Sequence, residues 1–231
     1  MNTLTISDYI DQTGNVGAPV THVWEGDGLN YFARESPPLQ GQFVLITFRG
    51  VAAIALGTAE WIAWRFEGVS PSVDLLDYIE ACWAGLIDSL YRKEWNWPKD
   101  AKIEGPVDRP LAQTCYTLNE IMRLISVSSN GAASKSIYLI YLARHVLPRK
   151  PPFERWLKTT LTRMGELYDR DTIGPLGPPV PRQALDPAFA PKQAPELLRA
   201  FLAGLKPGVN PYLRTPDEMT ALGFKGKPYT I

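Results

Sequence analysis

The chain has 231 residues, of which 45% are hydrophobic, so it is long and apolar enough to bury a core as one large domain or two small ones. It carries 24 basic and 24 acidic side chains, and this balance excludes a general attraction to nucleic acid or to anionic membranes. Residues 1–110 have 15 acidic and 8 basic side chains, a net charge of −7, whereas residues 111–231 have 9 acidic and 16 basic, a net charge of +7. This asymmetry indicates either two partner surfaces or two halves that pack together and cancel, and the second interpretation is favoured.

Several features favour a cytoplasmic chain. Cys82 and Cys115 are the only cysteines, and both lie in apolar helical patterns that usually bury a free thiol. The N-terminal stretch MNTLTISDYIDQTG has neither the basic nor the apolar region of a secretory signal. The most apolar window, residues 43–62, is interrupted by Arg49 and Glu60, which predicts a buried helix in water rather than a membrane span.

The first 170 residues predict loops followed by helices. Residues 1–40 are rich in glycine and proline, which is typical of loops with one or two short strands. Apolar side chains then recur at helical spacing. They predict a helix over residues 43–66 with a break or kink near Gly50 or Gly57, a helix capped by Ser72 and ended by Pro98, and further helices over about residues 109–127, over 134–147 and from Pro151 onward.

The last sixty residues predict less regular structure. Residues 173–195 contain seven prolines, which indicates an extended connector. A short helix over PELLRAFLAGL follows, and Thr215 with Glu218 forms a capping-box pattern that predicts one more short helix. The predicted fold is mainly α, an irregular multi-helix bundle in one domain over residues 1–231. Its parts are a loop-rich segment (1–40), a helical core (41–170), a proline-rich connector (171–195) and a C-terminal helix and tail (196–231).

The histidines and cysteines give little support to catalysis or metal binding. His22 and His145 fit no zinc-ligand spacing, and His145, near a helix end, is interpreted as a partner of the last helical carbonyls. A cysteine nucleophile would need a histidine base beside a thiol that the helical period buries. Phosphate-loop, nucleophile-elbow and dinucleotide-binding motifs are absent from the sequence. No catalytic residue, cofactor or metal is therefore predicted.

Carboxylates and tryptophans around TAEWIAWRFEG, residues 58–68, form the candidate site. Glu60, Trp64 and Glu67 are separated by four and three residues, which places them on one helical face, and Asp74 and Asp77 step by three in the next helix. An acidic surface with a central tryptophan is suited to binding a basic protein. These five residues are the predicted partner-binding site.

Other interpretations stay open. An enzyme of unfamiliar type would use Glu60 or Asp77 as an acid or base, and a structural adaptor would need neither. Trp61 is predicted to pack with Arg65 near the core, and Trp83 and Trp156 are predicted core residues. Basic residues around PRKPP, near Tyr138, Tyr141 and Trp156, suggest a nucleic-acid patch, but no recognition motif accompanies them, so a solvated surface is favoured. The cluster consists of Arg144, Arg149, Lys150, Arg155 and Lys158.

At TAEWIAWRFEG and NPYLRTPDEMTALGFKGKPY the sequence resembles the immunity proteins that bacteria encode beside polymorphic secreted toxins. The resemblance covers about thirty residues and identifies no toxin class. It implies a cytosolic, non-enzymatic protein that binds its cognate toxin and blocks the toxin's active site. It transfers no contact residues, so the five predicted residues rest on the helical spacing alone.

Overall fold

The computed structural model describes residues 3–69, 74–97 and 103–231. Within these ranges it confirms the mainly α fold, an irregular bundle of long and short helices. The helices are α1 (Asp8–Asp11), α2 (Leu29–Phe32), α3 (Pro37–Phe43), α4 (Phe48–Arg65), α5 (Leu75–Gly85), α6 (Gly105–Ser126), α7 (Gly131–Val146), α8 (Lys150–Leu167), α9 (Arg170–Ile173), α10 (Ala194–Gly204) and α11 (Pro216–Ala221). Single 3-10 turns lie at Ser89–Tyr91, Arg182–Leu185 and Pro191–Gln193.

Helix α4 is the centre of the bundle. It contacts α5, α6, α7 and α8, and all but two of its eighteen residues are buried. The Thr47 side chain caps its start by accepting a hydrogen bond from the Gly50 N–H at 3.2 Å. The predicted helix over residues 43–66 is broken at residues 44–47, between α3 and α4 and close to Gly50, whereas α4 runs unbroken through Gly50 and Gly57. Glycine at position 57 instead lets neighbouring side chains approach the helix: a Cβ there would lie 2.5 Å from Leu185 Cδ1 and 2.8 Å from Trp156 Cζ2.

Because side chains approach Gly57 closely, replacing Gly57 and replacing Gly165 with alanine are expected to change stability in different ways. Gly57→Ala is expected to lower the free energy of unfolding by about 1 to 3 kcal/mol, because overpacking outweighs the better helix propensity of alanine. Gly165→Ala, in α8, is the matched control, since no atom lies within 4 Å of its added Cβ. It is expected to leave stability unchanged or to raise it by up to about 1 kcal/mol. Urea unfolding of both variants measures the difference, and equal effects would contradict the packing at Gly57.

Some predicted boundaries differ from the structure. Helix α5 ends at Gly85 rather than near Pro98, because the chain turns there and Asp88 caps a new 3-10 turn by accepting from the Leu90 N–H at 2.8 Å. Ser72 and Pro98, the predicted cap and stop, lie outside the described residues. The described part of the N-terminal segment forms α1 to α3 instead of strands, and the only β-type pairings among described residues are the isolated bridges Ile46–Asp169 and Arg92–Leu213.

The proline-rich connector packs across the start of α4. The Pro175 carbonyl accepts from the Phe48 N–H at 2.8 Å, and the Leu176 carbonyl accepts from the Arg49 N–H at 3.1 Å. These bonds satisfy first-turn N–H groups that a helix cannot pair internally. Val180 and Leu185 are buried in the main core. The connector is part of the folded bundle, and the 3-10 turns at Arg182–Leu185 and Pro191–Gln193 interrupt the extended chain that was predicted.

Residues 16–37, which we call the strap, run along α7 from its C-terminal to its N-terminal half. The His145 ring contacts the Val23 carbonyl at 2.8 Å and stacks on Tyr31 with ring centroids 4.1 Å apart. Further along, the Phe32 and Tyr138 rings meet edge to face at 6.5 Å. The predicted partner of His145 is therefore wrong, because the ring contacts the strap and not the last carbonyls of α7.

The C-terminal tail packs against α5 and the 3-10 turn at Ser89–Tyr91. Thr215 and Glu218 form the predicted capping box at the start of α11, with both reciprocal hydrogen bonds present. A second, smaller apolar cluster joins α10 and the tail to Tyr91.

Within the residues that the structure describes, no helix combines the length and the apolar character needed to cross a membrane.

Candidate functional site

Glu60, the first predicted contact residue, is not on the surface. Its side chain is 0% exposed, and its carboxylate forms a two-pronged ion pair with Arg182 of the connector, at 2.8 Å from Nε and 2.7 Å from Nη2. The Trp83 indole donates a third hydrogen bond at 2.9 Å. Glu60 therefore cannot contact a partner in this conformation, which corrects the predicted single face of Glu60, Trp64 and Glu67. The reason is that α4 is buried on every side, so helical spacing alone does not separate inside from outside.

The other four predicted residues keep access to solvent. Glu67 and Asp74 are exposed, and Trp64 and Asp77 are half-buried. Asp74 and Asp77 both lie near Tyr212. Burial raises the pKa of the Tyr212 phenol to about 12, and the negative charges of Asp74 and Asp77 contribute to this rise. None of the ion pairs between described residues uses Glu67, Asp74 or Asp77. The negative charges of Glu67 and Asp74 therefore face solvent near the end of α4 and the start of α5, whereas the Asp77 Oδ1 atom is buried without a hydrogen-bond partner among the described residues.

The strap brings two further acids to the same end of the bundle. Phe66, at the end of α4, packs against His22 with ring centroids 5.8 Å apart, and the His22 ring contacts the Pro106 carbonyl at the start of α6 at 2.6 Å. Glu25 and Asp27 follow His22 in the strap and are both exposed. We call the four exposed acids Glu25, Asp27, Glu67 and Asp74 the acidic end; the partly buried Asp77 carboxylate lies outside this surface. Sequence reasoning missed Glu25 and Asp27 because nothing local places the strap there.

A pocket of about 570 Å³ lies beside these acids, between the strap and the start of α6. Trp24 and Trp97 line it, together with Asp27 and Arg109. The Arg109 guanidinium lies 4.9 Å from the centroid of the Trp97 ring, a cation–π distance. The indole nitrogens of Trp24 and of Trp64 are buried without a hydrogen-bond partner. Half-buried tryptophans next to exposed carboxylates therefore characterise this end of the molecule.

The two histidines meet beneath the acidic end. Their ring centroids are 5.3 Å apart, and the Arg65 guanidinium, 0% exposed, lies close enough for its charge to act on His22. Arg65 donates to the carbonyls of Ala18 and Pro19 in the strap and to the Val146 carbonyl at the end of α7. Its guanidinium lies 5.0 Å from the centroid of the Phe66 ring, so the predicted pairing of Arg65 with Trp61 is replaced by these contacts.

The environment of His22 predicts a fall in stability at mildly acidic pH. Burial lowers the pKa of His22, the charges of His145 and Arg65 lower it further, and only the Pro106 carbonyl opposes them. The unfolded chain, with an ordinary histidine pKa of about 6.5, then binds more protons than the folded chain, so stability is lost as the pH falls below that value. Urea unfolding between pH 7.5 and 5 is expected to show this loss, and His22→Asn is expected to reduce it. An equal slope in the variant would contradict the assignment.

The cysteine thiols and predicted core tryptophans are structural. Cys82 and Cys115 are both fully buried, and burial raises the pKa of the Cys82 thiol to about 11 and that of Cys115 well above its usual value. Neither thiol is therefore poised as a thiolate nucleophile.

Trp61, Trp83 and Trp156 are buried in the main core, as predicted. Among the described residues no group of three His, Cys, Asp or Glu side chains is arranged to hold a metal ion.

The basic cluster around PRKPP lacks the arrangement expected of a nucleic-acid patch. Trp156 is buried and offers no stacking face, and Arg144 pairs with Glu154 at 2.7 Å. Tyr141 lies between the guanidinium groups of Arg34 and Arg144, at 6.0 and 5.3 Å from its ring centroid. Arg149, Lys150, Arg155 and Lys158 are exposed, which fits a solvated surface.

Searches for similar proteins find no family model, no curated protein and no solved structure that matches this chain.

Proposed function

We propose that the protein is a non-enzymatic cytoplasmic binding protein whose acidic end docks a basic protein partner. The observation that supports this proposal is that the His22–Phe66 contact brings exposed Glu25 and Asp27 of the strap towards the end of α4, where exposed Glu67 and half-buried Trp64 lie and after which exposed Asp74 precedes α5. Carboxylates at the rim of an interface steer a basic partner, and tryptophans supply contact area that association desolvates. Following the resemblance of TAEWIAWRFEG and the tail, we further propose that the partner is a cognate toxin and the protein its immunity protein.

The internal contacts of Glu60 and of both histidines favour a binding function over catalysis. The alternative enzyme would use Glu60 or Asp77 as an acid or base that reaches a substrate. Glu60 is instead held by Arg182 and Trp83 away from solvent. The His22 and His145 rings contact the backbone carbonyls of Pro106 and Val23. An adaptor is the remaining alternative, and it differs from an immunity protein in the activity of the partner.

Expression of the product of the neighbouring gene tests the proposal. We expect that product to arrest growth of a bacterial host when it is expressed alone, and expect co-expression of this protein to restore growth. The variant Glu67→Lys/Asp74→Lys is expected to lose protection while it keeps its helical circular dichroism spectrum. The control Glu166→Lys/Glu196→Lys makes the same change of net charge at exposed acids of α8 and α10 and is expected to protect. A neighbour that is harmless alone would overturn the immunity proposal.

A further inference from the structure

A second pocket, distant from the acidic end, lies where the strap enters α3 and crosses the N-terminal half of α7. Its volume is about 340 Å³, which is at the lower end of the range for small-molecule sites. The side chains that give it chemical character are Arg34, Glu35, Ser36, Gln40, Ser134 and Tyr138. Because Tyr138 lies two turns of α7 before His145, this pocket is separate from the histidine pair and from the partner surface proposed above.

The cation of this pocket is held in place although it is exposed. The Nε and Nη2 atoms of Arg34 both donate to the Asn30 carbonyl, at 3.3 and 2.9 Å, and its guanidinium faces the Tyr141 ring at 6.0 Å. No contact among the described residues uses Nη1. Lys135 adds a second positive charge nearby, with its Nζ atom 5.5 Å from the centroid of the Tyr138 ring. A fixed guanidinium with a free N–H edge and a neighbouring ammonium is suited to a phosphate group.

The neutral polar groups of the pocket are also available to a ligand. Ser36 precedes α3, but its hydroxyl makes no capping hydrogen bond. Pro37 and Pro38 follow it, so the first two helical positions have no N–H to offer. Ser134 is exposed in the first turn of α7, and within the described residues neither its hydroxyl nor the Gln40 amide makes an internal hydrogen bond. Two hydroxyls and an amide thus remain around the Arg34 guanidinium.

The carboxylate of Glu35 selects among anionic ligands. It repels a bare phosphate ion, whereas it accepts hydrogen bonds from hydroxyl groups attached to a phosphate ester. Tyr138 is half-buried and offers an apolar ring surface on the same pocket wall. From these contacts we infer that the pocket binds a hydroxyl-rich phosphate monoester of the sugar-phosphate class. Arg34, Ser36 and Ser134 bind the phosphate, and Glu35 and Gln40 bind the hydroxyls.

Calorimetric titration of the full chain with glucose 6-phosphate, glucose and inorganic phosphate tests this inference. We expect glucose 6-phosphate to bind at least about tenfold more tightly than either of the other two probes, because only it engages both halves of the pocket. Arg34→Ala is expected to weaken its binding by about tenfold or more. Glu35→Gln is expected to weaken the binding of glucose 6-phosphate and to strengthen the binding of inorganic phosphate. General damage to the fold would not change the two affinities in opposite directions.

Arg155→Ala provides the matched control, because Arg155 is an exposed arginine of α8 outside the pocket. It is expected to leave the affinity for glucose 6-phosphate unchanged. Absence of saturable binding in the wild-type protein, or an equal effect of Arg34→Ala and Arg155→Ala, would overturn the site. Equal affinities for glucose 6-phosphate and inorganic phosphate would overturn the role of Glu35 and Gln40. All three results are independent of the partner at the acidic end.

Discussion

Replacing Arg182 with alanine is expected to lower the free energy of unfolding by about 3 to 5 kcal/mol, the cost of leaving one member of a buried ion pair without its partner. The Glu60 carboxylate, 0% exposed, would keep only the hydrogen bond from Trp83. Arg182 also donates to the Thr5 carbonyl and the Ser7 hydroxyl, so its loss frees the N-terminal segment from the connector. Chemical denaturation monitored by circular dichroism measures the effect.

Two control variants separate this ion pair from an ordinary surface contact. Arg123→Ala breaks the Glu120–Arg123 pair on α6, in which the Arg123 side chain is 56% exposed, and is expected to have no measurable effect. The double variant Glu60→Leu/Arg182→Met removes both charges and is expected to recover much of the stability lost in Arg182→Ala, since apolar replacement of a buried pair is often neutral. A loss in Arg182→Ala as small as in Arg123→Ala would contradict the buried pair.

The second large effect is expected at Arg65. Arg65→Ala is expected to lower the free energy of unfolding by roughly 3 kcal/mol or more, because hydrogen bonds from a charged donor contribute about 1.5 to 3 kcal/mol each. The side chain is 0% exposed and donates to Ala18 at 2.5 Å, to Pro19 at 2.8 Å and to Val146 at 3.4 Å. Its removal leaves these carbonyls without that donor and detaches the strap from the end of α4.

Hydrogen exchange localises the Arg65 effect. In Arg65→Ala the amides of residues 16–32 are expected to exchange faster at denaturant concentrations that leave α4 and α7 protected. Arg34→Ala is a control within the strap, because Arg34 is exposed, its hydrogen bonds go to the Asn30 carbonyl of its own segment, and it faces the Tyr141 ring of α7 only at 6.0 Å. It is expected to leave exchange of residues 16–32 close to that of the wild type. Uniform acceleration across the whole chain in Arg65→Ala would show that the strap is not a separate unit.

The fold class was predictable from the sequence because the long helices carry sustained apolar periodicity with clear stops. Helices α6 and α7 begin and end within a few residues of the predicted bounds, and α8 begins at the residue before the predicted start. The end of α5 was not predictable, because apolar spacing continues past Gly85 while the Asp88 cap and the bridge between Arg92 and Leu213 redirect the chain. The bridge between Arg92 and Leu213 joins residues far apart in the sequence, so it leaves no local signal.

The candidate site was only partly predictable. Spacing placed Glu60 with Trp64 and Glu67, but Glu60 stands between Ala59 and Trp61 in the most apolar window of the chain, a signal that an acid there is buried. Its partner Arg182 follows 122 residues later in the connector. The Glu60–Arg182 pair joins an acid of the first half to a base of the second half, which supports the interpretation that the two halves cancel part of each other's charge. Lys93 and Glu218 form another ion pair between the halves, with the base in the first half and the acid in the second.

Other internal networks were also hidden from the sequence. The Glu80 carboxylate is buried and accepts hydrogen bonds from Thr3 and from Asn210, which joins the two ends of the chain at α5. Arg92 donates to the Tyr78 hydroxyl and to the Asn119 amide oxygen. In each case a buried polar side chain is satisfied by a residue on another element of the fold. Such groups are the ones that spacing arguments misplace on the surface.

The association rate of the complex tests the proposed docking surface most directly. The measurement uses an inactivated form of the neighbouring gene's product and compares wild type, Glu67→Lys/Asp74→Lys and Glu166→Lys/Glu196→Lys by surface plasmon resonance. The acidic-end variant is expected to associate about tenfold or more slowly, with a weaker salt dependence, because steering charges act mainly on encounter. The control variant is expected to associate at close to the wild-type rate. Equal rates for the two variants would contradict docking at the acidic end.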